Sequence, residues 1–203
     1  ANFGYWSVLV SGQALGGHPT IAIEASGRNV MQLKANARAN QDRFETVHAA
    51  VAEMDGGVVT LGGPTHEGLA IVDASQAAPD AETVSCVSLD GLMARLPWFG
   101  QRRRLVLKLD VEGVEEAALR GAGEMLKRDT LLIYEEQGSD AAHANTRFVS
   151  KRLGMPIFVY DGRRFSEASD PLAAMSAMKT NSRRGYNVLA TNSPGWLGLL
   201  RRA

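Results

Sequence analysis

Leu105-Val106-Leu107-Lys108-Leu109-Asp110-Val111-Glu112-Gly113 runs directly into Val114-Glu115-Glu116-Ala117-Ala118-Leu119-Arg120-Gly121-Ala122. A short apolar run ends on a carboxylate, a tight glycine turn follows, and apolar residues then recur at helical spacing. A buried parallel strand hands over to its crossover helix in this way. In open α/β sheets ligands sit beyond the carboxyl ends of the strands, so Asp110 and Glu112 fall where chemistry is expected. Two acids so close together also shift each other's protonation. The competing job for Asp110 is to cap the following helix. The device recurs. Thr20-Ile21-Ala22-Ile23 ends in Glu24, and Leu131-Leu132-Ile133-Tyr134 ends in Glu135 and Glu136. Three such strands predict acids along one edge of one sheet, with alternation letting only one of Glu135 and Glu136 into the cleft.

The whole chain can be read around that edge. Its 203 residues suit a single domain, 1–203, with a sizeable core. Lys plus Arg and Asp plus Glu both number 22, which removes the electrostatic drive for general nucleic-acid binding. Cys86 is alone, so no intramolecular disulfide framework exists and a reducing compartment is expected. No apolar run approaches a membrane span, and the opening residues lack a signal-peptide profile. The expectation is a cytoplasmic protein without stable membrane insertion.

Ala1-Asn2-Phe3-Gly4 opens in a turn, and Trp6, Leu9 and Val10 then recur at helical spacing until Gly16-Gly17. After the strand Thr20–Glu24, Ser26 is placed to cap a helix in which Val30, Leu33 and Ala37 share a face before Asn40. Thr46–Val51 reads as a short strand, and the Glu53–Gly57 turn leads into Val58–Leu61 as part of a hairpin. Leu69–Val72 is a further strand candidate in an otherwise loop-like stretch. Val84–Ser88 is followed by a turn at Asp90-Gly91 and a short helix ending near Pro97. After Glu136 comes the loop Gln137–Asn145, then a helix around Thr146–Leu153 that Gly154 ends. Ile157–Tyr160, Asp161-Gly162 and Arg163–Phe165 form a hairpin signal. Residues 166–185 read as loop, and Tyr186–Ala190 as the last strand. This order predicts a mostly parallel doubly wound α/β sheet with an antiparallel C-terminal hairpin.

Several residues carry possible chemistry. An acid in the place of Glu24 accepts hydrogen bonds from ribose hydroxyls in nucleotide-binding α/β folds, or else is a solvated strand end. Gly4 lets backbone approach a ligand closely, though a lone turn glycine is ordinary and no complete GxGxxG accompanies it. His143 lies in the loop after a strand, within reach of a bound substrate, although loop histidines are commonly solvated. His48 belongs to a strand, and His18 and His66 to loops. No spacing resembles a metal site. The arginines at 102–104, 163–164, 183–184 and 201–202 either steer an anionic substrate or sit in solvated loops. Trp196–Leu200 is either a contact for a partner or membrane surface, or a frayed end.

Together these motifs resemble the FkbM family of S-adenosylmethionine-dependent methyltransferases. Leu107–Gly113, with Glu115, Leu119, Gly121 and Ala122, is similar to that family's most recognisable segment. Ala1–Ser7 resembles the end of its first cofactor motif. Ile23-Glu24-Ala25 with Asn29, Leu33, Asn36 and Asn40 resembles its second, with Ala25 where a proline is common. Ala49-Ala50-Val51, Ser88–Leu92 and Tyr134-Glu135 also fit, so the similarity spans roughly 1–136. The resemblance implies a Rossmann-like class I methyltransferase sheet and methyl transfer to a hydroxyl oxygen of a small molecule or glycan. It implies that Asn2, Gly4 and Glu24 hold S-adenosyl-L-methionine, that Ala50 lies near the adenine, and that Asp110 lies by the methionine part or the acceptor. Glu112 falls on the acceptor side. It further implies that a strand belongs ahead of Ala1, so that the sheet lacks its first strand through N-terminal truncation. Asp110, Glu135 and His143 are the candidate bases, in that order. The rival readings are a nicotinamide-dependent oxidoreductase on a similar sheet, and a catalytically silent binding domain.

Overall fold

The computed structural model describes residues 1–62, 70–72, 75, 81–101 and 104–202, so His66, Leu69, Arg102 and Arg103 lie outside the described residues. In chain order the elements are α1 (Tyr5–Ser11), β1 (Thr20–Glu24), α2 (Gly27–Ala39), β2 (Phe44–His48), β3 (Ala50–Val51), β4 (Val58–Gly62), β5 (Ala70–Val72), β6 (Thr83–Val87), α3 (Leu89–Arg95) and α4 (Pro97–Gly100). Then come β7 (Arg104–Leu109), α5 (Glu115–Arg120), α6 (Gly123–Leu126), β8 (Asp129–Gln137), α7 (Ala144–Arg147), β9 (Ile157–Tyr160), β10 (Phe165–Glu167), α8 (Pro171–Met178), β11 (Gly185–Ala190) and α9 (Pro194–Leu200). They form two units, Ala1–Leu92 with Val111–Gly121, and Met93–Asp110 with Ala122–Ala203.

In the first unit β1 and β2 pair in parallel, from Thr20 opposite Phe44 to Glu24 opposite His48. The apolar stripe of α2 closes over them, and Ala22, Leu33, Ala37 and Phe44 form the core. Ser26 stands at the helix start as expected but makes no capping bond. The Gly27 N–H instead donates to Glu82 at 2.7 Å. On α1 the buried face is not the one the sequence suggests, for Trp6 and Leu9 are exposed while Ser7 and Ser11 are buried. Gly4 supplies the reason. It has φ +86°, and a Cβ there would lie 2.5 Å from Leu33 Cδ1, so the chain enters α1 close against α2 and Val8, rather than Trp6 or Leu9, packs on the core.

The expected strand Thr46–Val51 divides at Ala49. β2 stays on β1, whereas β3 joins a second sheet of order β3-β6-β4-β5, parallel to β6. β4 runs antiparallel to both β5 and β6. Asp90-Gly91 is not a turn but the first turn of α3, because Ser88 Oγ accepts the Gly91 N–H at 3.0 Å as a cap does.

The second unit holds one five-stranded sheet, β10-β9-β11-β8-β7. Its β9–β10 hairpin is as expected, with the Asp161 carboxylate accepting the Arg163 and Arg164 N–H groups and Gly162 at φ +98°. β11 inserts between β8 and β9, antiparallel to both. The expectation of a mostly parallel sheet is therefore corrected, since β1–β2, β3–β6 and β7–β8 are the parallel pairs among the described residues and five others are antiparallel. β7 is also not buried on both faces. It is an edge strand of this sheet, with Leu105 and Leu109 buried and Val106 57% exposed. Nor do the acids share one sheet, for β1 pairs with β2 in a sheet of their own.

Two further stretches differ from expectation. Residues 171–178 are helical rather than loop, because Asp170 accepts the Leu172 and Ala173 N–H groups and Pro171 takes the first helical position. The tail is docked rather than frayed. Trp196, Leu197 and Leu200 pack on Leu131, Phe158 and Leu189, and Trp196 Nε1 donates to the Asp129 carbonyl at 3.2 Å. Among the described residues no helix is long and apolar enough to cross a membrane.

Gly4→Ala combines left-handed strain with overlap on Leu33. It is expected to lower unfolding stability by about 2 kcal/mol, read as a shift in the urea midpoint at unchanged slope.

Candidate functional site

At the end of β1 the Glu24 carboxylate is surrounded by donors. Oε2 accepts from the Ala1 ammonium at 2.8 Å and the Asn2 N–H at 2.6 Å. Oε1 accepts from the Ser26 N–H at 3.0 Å and from Asn29 Nδ2 at 3.4 Å. Burial pushes its pKa up, but the ammonium and the Ser26 and Asn2 N–H groups win and hold it below the usual carboxylate value. Asn2 has a left-handed backbone, φ 53°. Ala50 is buried in a cluster with Leu61 and Val84, against which Ala25 packs.

The turn after β7 is organised by a residue that sequence reasoning did not single out for this role. Glu115, 2% exposed, folds back so that its carboxylate accepts the Val111 N–H at 3.2 Å and the Gly113 N–H at 3.1 Å. The signal was an acid just past the turn glycine, in the first turn of a helix. Glu112 is exposed with φ 54°. Asp110 does not cap α5, whose start has no side-chain cap. Its carboxylate is exposed and accepts from Lys108 Nζ at 2.8 Å.

The richest polar cluster lies at the far end of β8. The strand runs on to Gln137 because β11 pairs with it there, so Glu135 and Glu136 stand within it and point to opposite faces. Glu135 is half-buried above Gly185, where a Cβ would fall on its carboxylate. Glu136 is fully buried, and its Oε2 accepts the Thr146 N–H at 2.7 Å and the Thr146 hydroxyl at 2.6 Å. Tyr134 donates to the same Thr146 oxygen at 3.0 Å. Burial and the Glu136 charge raise the pKa of the Tyr134 hydroxyl far above its ordinary value, although its bond to Thr146 opposes this. Lys179, whose side chain is 5% exposed, brings Nζ within 3.5 Å of Glu136 Oε1 and donates to the Asp140 carbonyl at 2.6 Å.

His143 belongs to this cluster and is not the solvated loop residue its neighbours suggested. It stands at the start of α7 with φ 53°, is buried, and its Nε2 lies 2.8 Å from Ser176 Oγ. The Asp140 carboxylate accepts the Ala142 and Ala144 N–H groups at 2.8 and 2.7 Å. Burial raises the Asp140 pKa, but those N–H groups, Lys179 and His143 together bring it below the ordinary value. The arginines, by contrast, are surface groups where described. Arg201 holds Glu167 through two bonds of 2.7 and 3.1 Å, and Arg104 reaches Asp129 at 3.0 Å. Sequence missed Lys179, Ser176 and Thr146, because only the fold brings α8 and α7 to the end of β8.

A mixed α/β chain with several sheets is consistent with a methyltransferase fold. The family profile described as Methyltransferase FkbM domain matches residues 1–155, and the chain belongs to that family. No curated protein and no solved structure matches the sequence.

Lys179→Met should leave a buried carboxylate uncompensated and cost about 3–5 kcal/mol. Glu136→Gln combined with Lys179→Met should recover much of that loss, which a double-mutant cycle of thermal unfolding measures. Asp140 has a second consequence. A carboxylate whose folded pKa is depressed stabilises the fold above the unfolded value and loses that contribution as pH falls through the folded one. Stability should therefore decline below about pH 4, and Asp140→Asn should flatten that part of the pH profile.

Proposed function

We propose that this chain transfers the methyl group of S-adenosyl-L-methionine to a hydroxyl oxygen of a small molecule or glycan. The family match carries the reading, since methyl transfer is what that family name denotes and its span takes in 107–113 and Glu24. It does not favour the nicotinamide-dependent oxidoreductase. The cofactor supplies a sulfonium methyl that is already electrophilic, so the protein's task is alignment. Positioning an acceptor in line supplies about 7–11 kcal/mol of barrier reduction.

The donor chemistry at Glu24 supports the cofactor assignment. The Glu24 carboxylate accepts the Asn2 N–H on one oxygen at 2.6 Å and the Ser26 N–H on the other at 3.0 Å, and an acid with that acceptor capacity can take two neighbouring ribose hydroxyls. Glu24 would hold the ribose by exchanging those donors, with Asn2 and Gly4 beside it and Ala50 toward the adenine. Asp110 would face the methionine part or the acceptor, and Glu112 the acceptor. For the base that removes the hydroxyl proton, Asp110 leads because its carboxylate is exposed. Glu135 is half-buried, and His143 already bonds Ser176. The reading treats 1–203 as one cytoplasmic methyltransferase domain with a Rossmann-like sheet.

Isothermal titration with S-adenosylhomocysteine and with NAD tests the cofactor. Binding of the first and not the second is expected, weakened about tenfold in Glu24→Gln by loss of one charge-assisted bond. Binding of NAD alone overturns the assignment. Asp110→Asn should slow methyl transfer about 10²–10⁴-fold if Asp110 is the base, and turnover near wild type removes it from that role.

A further inference from the structure

His143, from the loop after β8, and Ser176, from α8, meet in the second unit. Ser176 lies on α8, beyond the residues 1–155 that the family profile covers, so the arrangement is not part of the matched segment. The Ser176 side is exposed, while His143 beneath it is only 6% exposed. Nε2 and Oγ stand 2.8 Å apart, the reach required between a base and the hydroxyl it activates. His143 Nδ1 is buried without a hydrogen-bond partner, so Ser176 is the one group bonded to the imidazole among the described contacts. The imidazole is held in place by a left-handed backbone at the start of α7, a conformation that non-glycine residues adopt only when their surroundings impose it. In the same loop the Asp140 carboxylate is fixed by two main-chain N–H groups.

We propose that Ser176 is a nucleophilic hydroxyl, activated by His143, that takes an acyl group from activated esters. With p-nitrophenyl acetate, Oγ bonds to the carbonyl carbon as its proton passes to His143 Nε2. The aryl C–O bond breaks, p-nitrophenolate leaves with the electron pair, and acetyl-Ser176 remains. The imidazolium then returns its proton to water. Ser176 lies inside α8, where main-chain N–H groups are committed to the helix, so they form no oxyanion pocket. Deacylation lacks that help too, and the acetyl group stays on the protein. The site accepts a modification rather than turning over an ester.

The assay needs no methyl donor or acceptor, so its outcome is independent of the methyl-transfer reading. The full chain is incubated with p-nitrophenyl acetate and its peptides are mapped by mass spectrometry. Ser139, exposed in the loop that also carries Asp140 and His143, is the internal comparator. Ser176 is expected to be acetylated at least about tenfold faster than Ser139, a modest share of what general bases supply. His143→Asn, chosen because asparagine tolerates the left-handed backbone, should bring Ser176 down to the Ser139 rate. Equal labelling of the two serines in the wild-type chain overturns the proposal, whether or not the variant folds. So does acetyl found on His143 and not on Ser176, or undiminished Ser176 labelling in a His143→Asn protein with wild-type melting temperature.

Discussion

A carboxylate and an ammonium buried together are expensive to take from water, and only good geometry and further hydrogen bonds offset the cost. In the second unit Glu136 and Lys179 meet that condition in part, through a 3.5 Å ion pair to an Oε1 that makes no hydrogen bond and through bonds on their other atoms. Glu136 has two bonds from Thr146 on one oxygen and the ammonium beside the other, while Lys179 also holds the Asp140 carbonyl. The pair therefore joins β8, the start of α7, the loop before it and the residue just after α8. That constraint sets where His143 and Ser176 stand. Apolar packing secures the opposite, Asp129 end of β8 through α9, so polar contacts at one end and apolar contacts at the other fix the strand.

The same logic explains why so many acids here face main-chain N–H groups rather than open solvent. Glu24, Glu82, Glu115, Asp140, Asp161 and Asp170 each accept from one or more of them. Helix starts and tight turns leave N–H groups without intrahelical partners, and a nearby carboxylate answers them with charge-assisted bonds. An acid at a strand end is thus drawn toward the turn that follows it. The acceptor capacity that lets Glu24 take main-chain N–H groups is the same capacity a hydroxyl donor would require.

Periodicity made much of this legible. α2, β1, the β9–β10 hairpin and β11 stand where apolar spacing and turn residues put them, because each is decided by its own local pattern. What failed was whatever depends on a distant partner. Ser26 occupies the cap position, yet Glu82, fifty-five residues away, makes the bond. Trp6 and Leu9 do not define the buried face of α1, where Val8 packs on the cluster around Leu33 and Gly4 allows the close approach. The Leu105–Leu109 run reads as a strand buried on both faces, but an edge position exposes Val106. The direction in which β11 enters the sheet has no local signature at all.

The candidate site divides along the same line. Asp110, Glu112, Glu24 and Glu135 could be named because strand ends are visible in one dimension. Glu115 could have been found by asking which acid follows the turn glycine. Thr146, Lys179 and Ser176 carry no signal of their own, being a threonine, a lysine and a serine in polar sequence. They acquire meaning only when β8 continues past the end of β7 and α8 folds against α7. Sequence thus reveals acids that act through position in an element. Residues that act through a neighbour from another element become visible only with the fold, and in this chain those are the residues around His143.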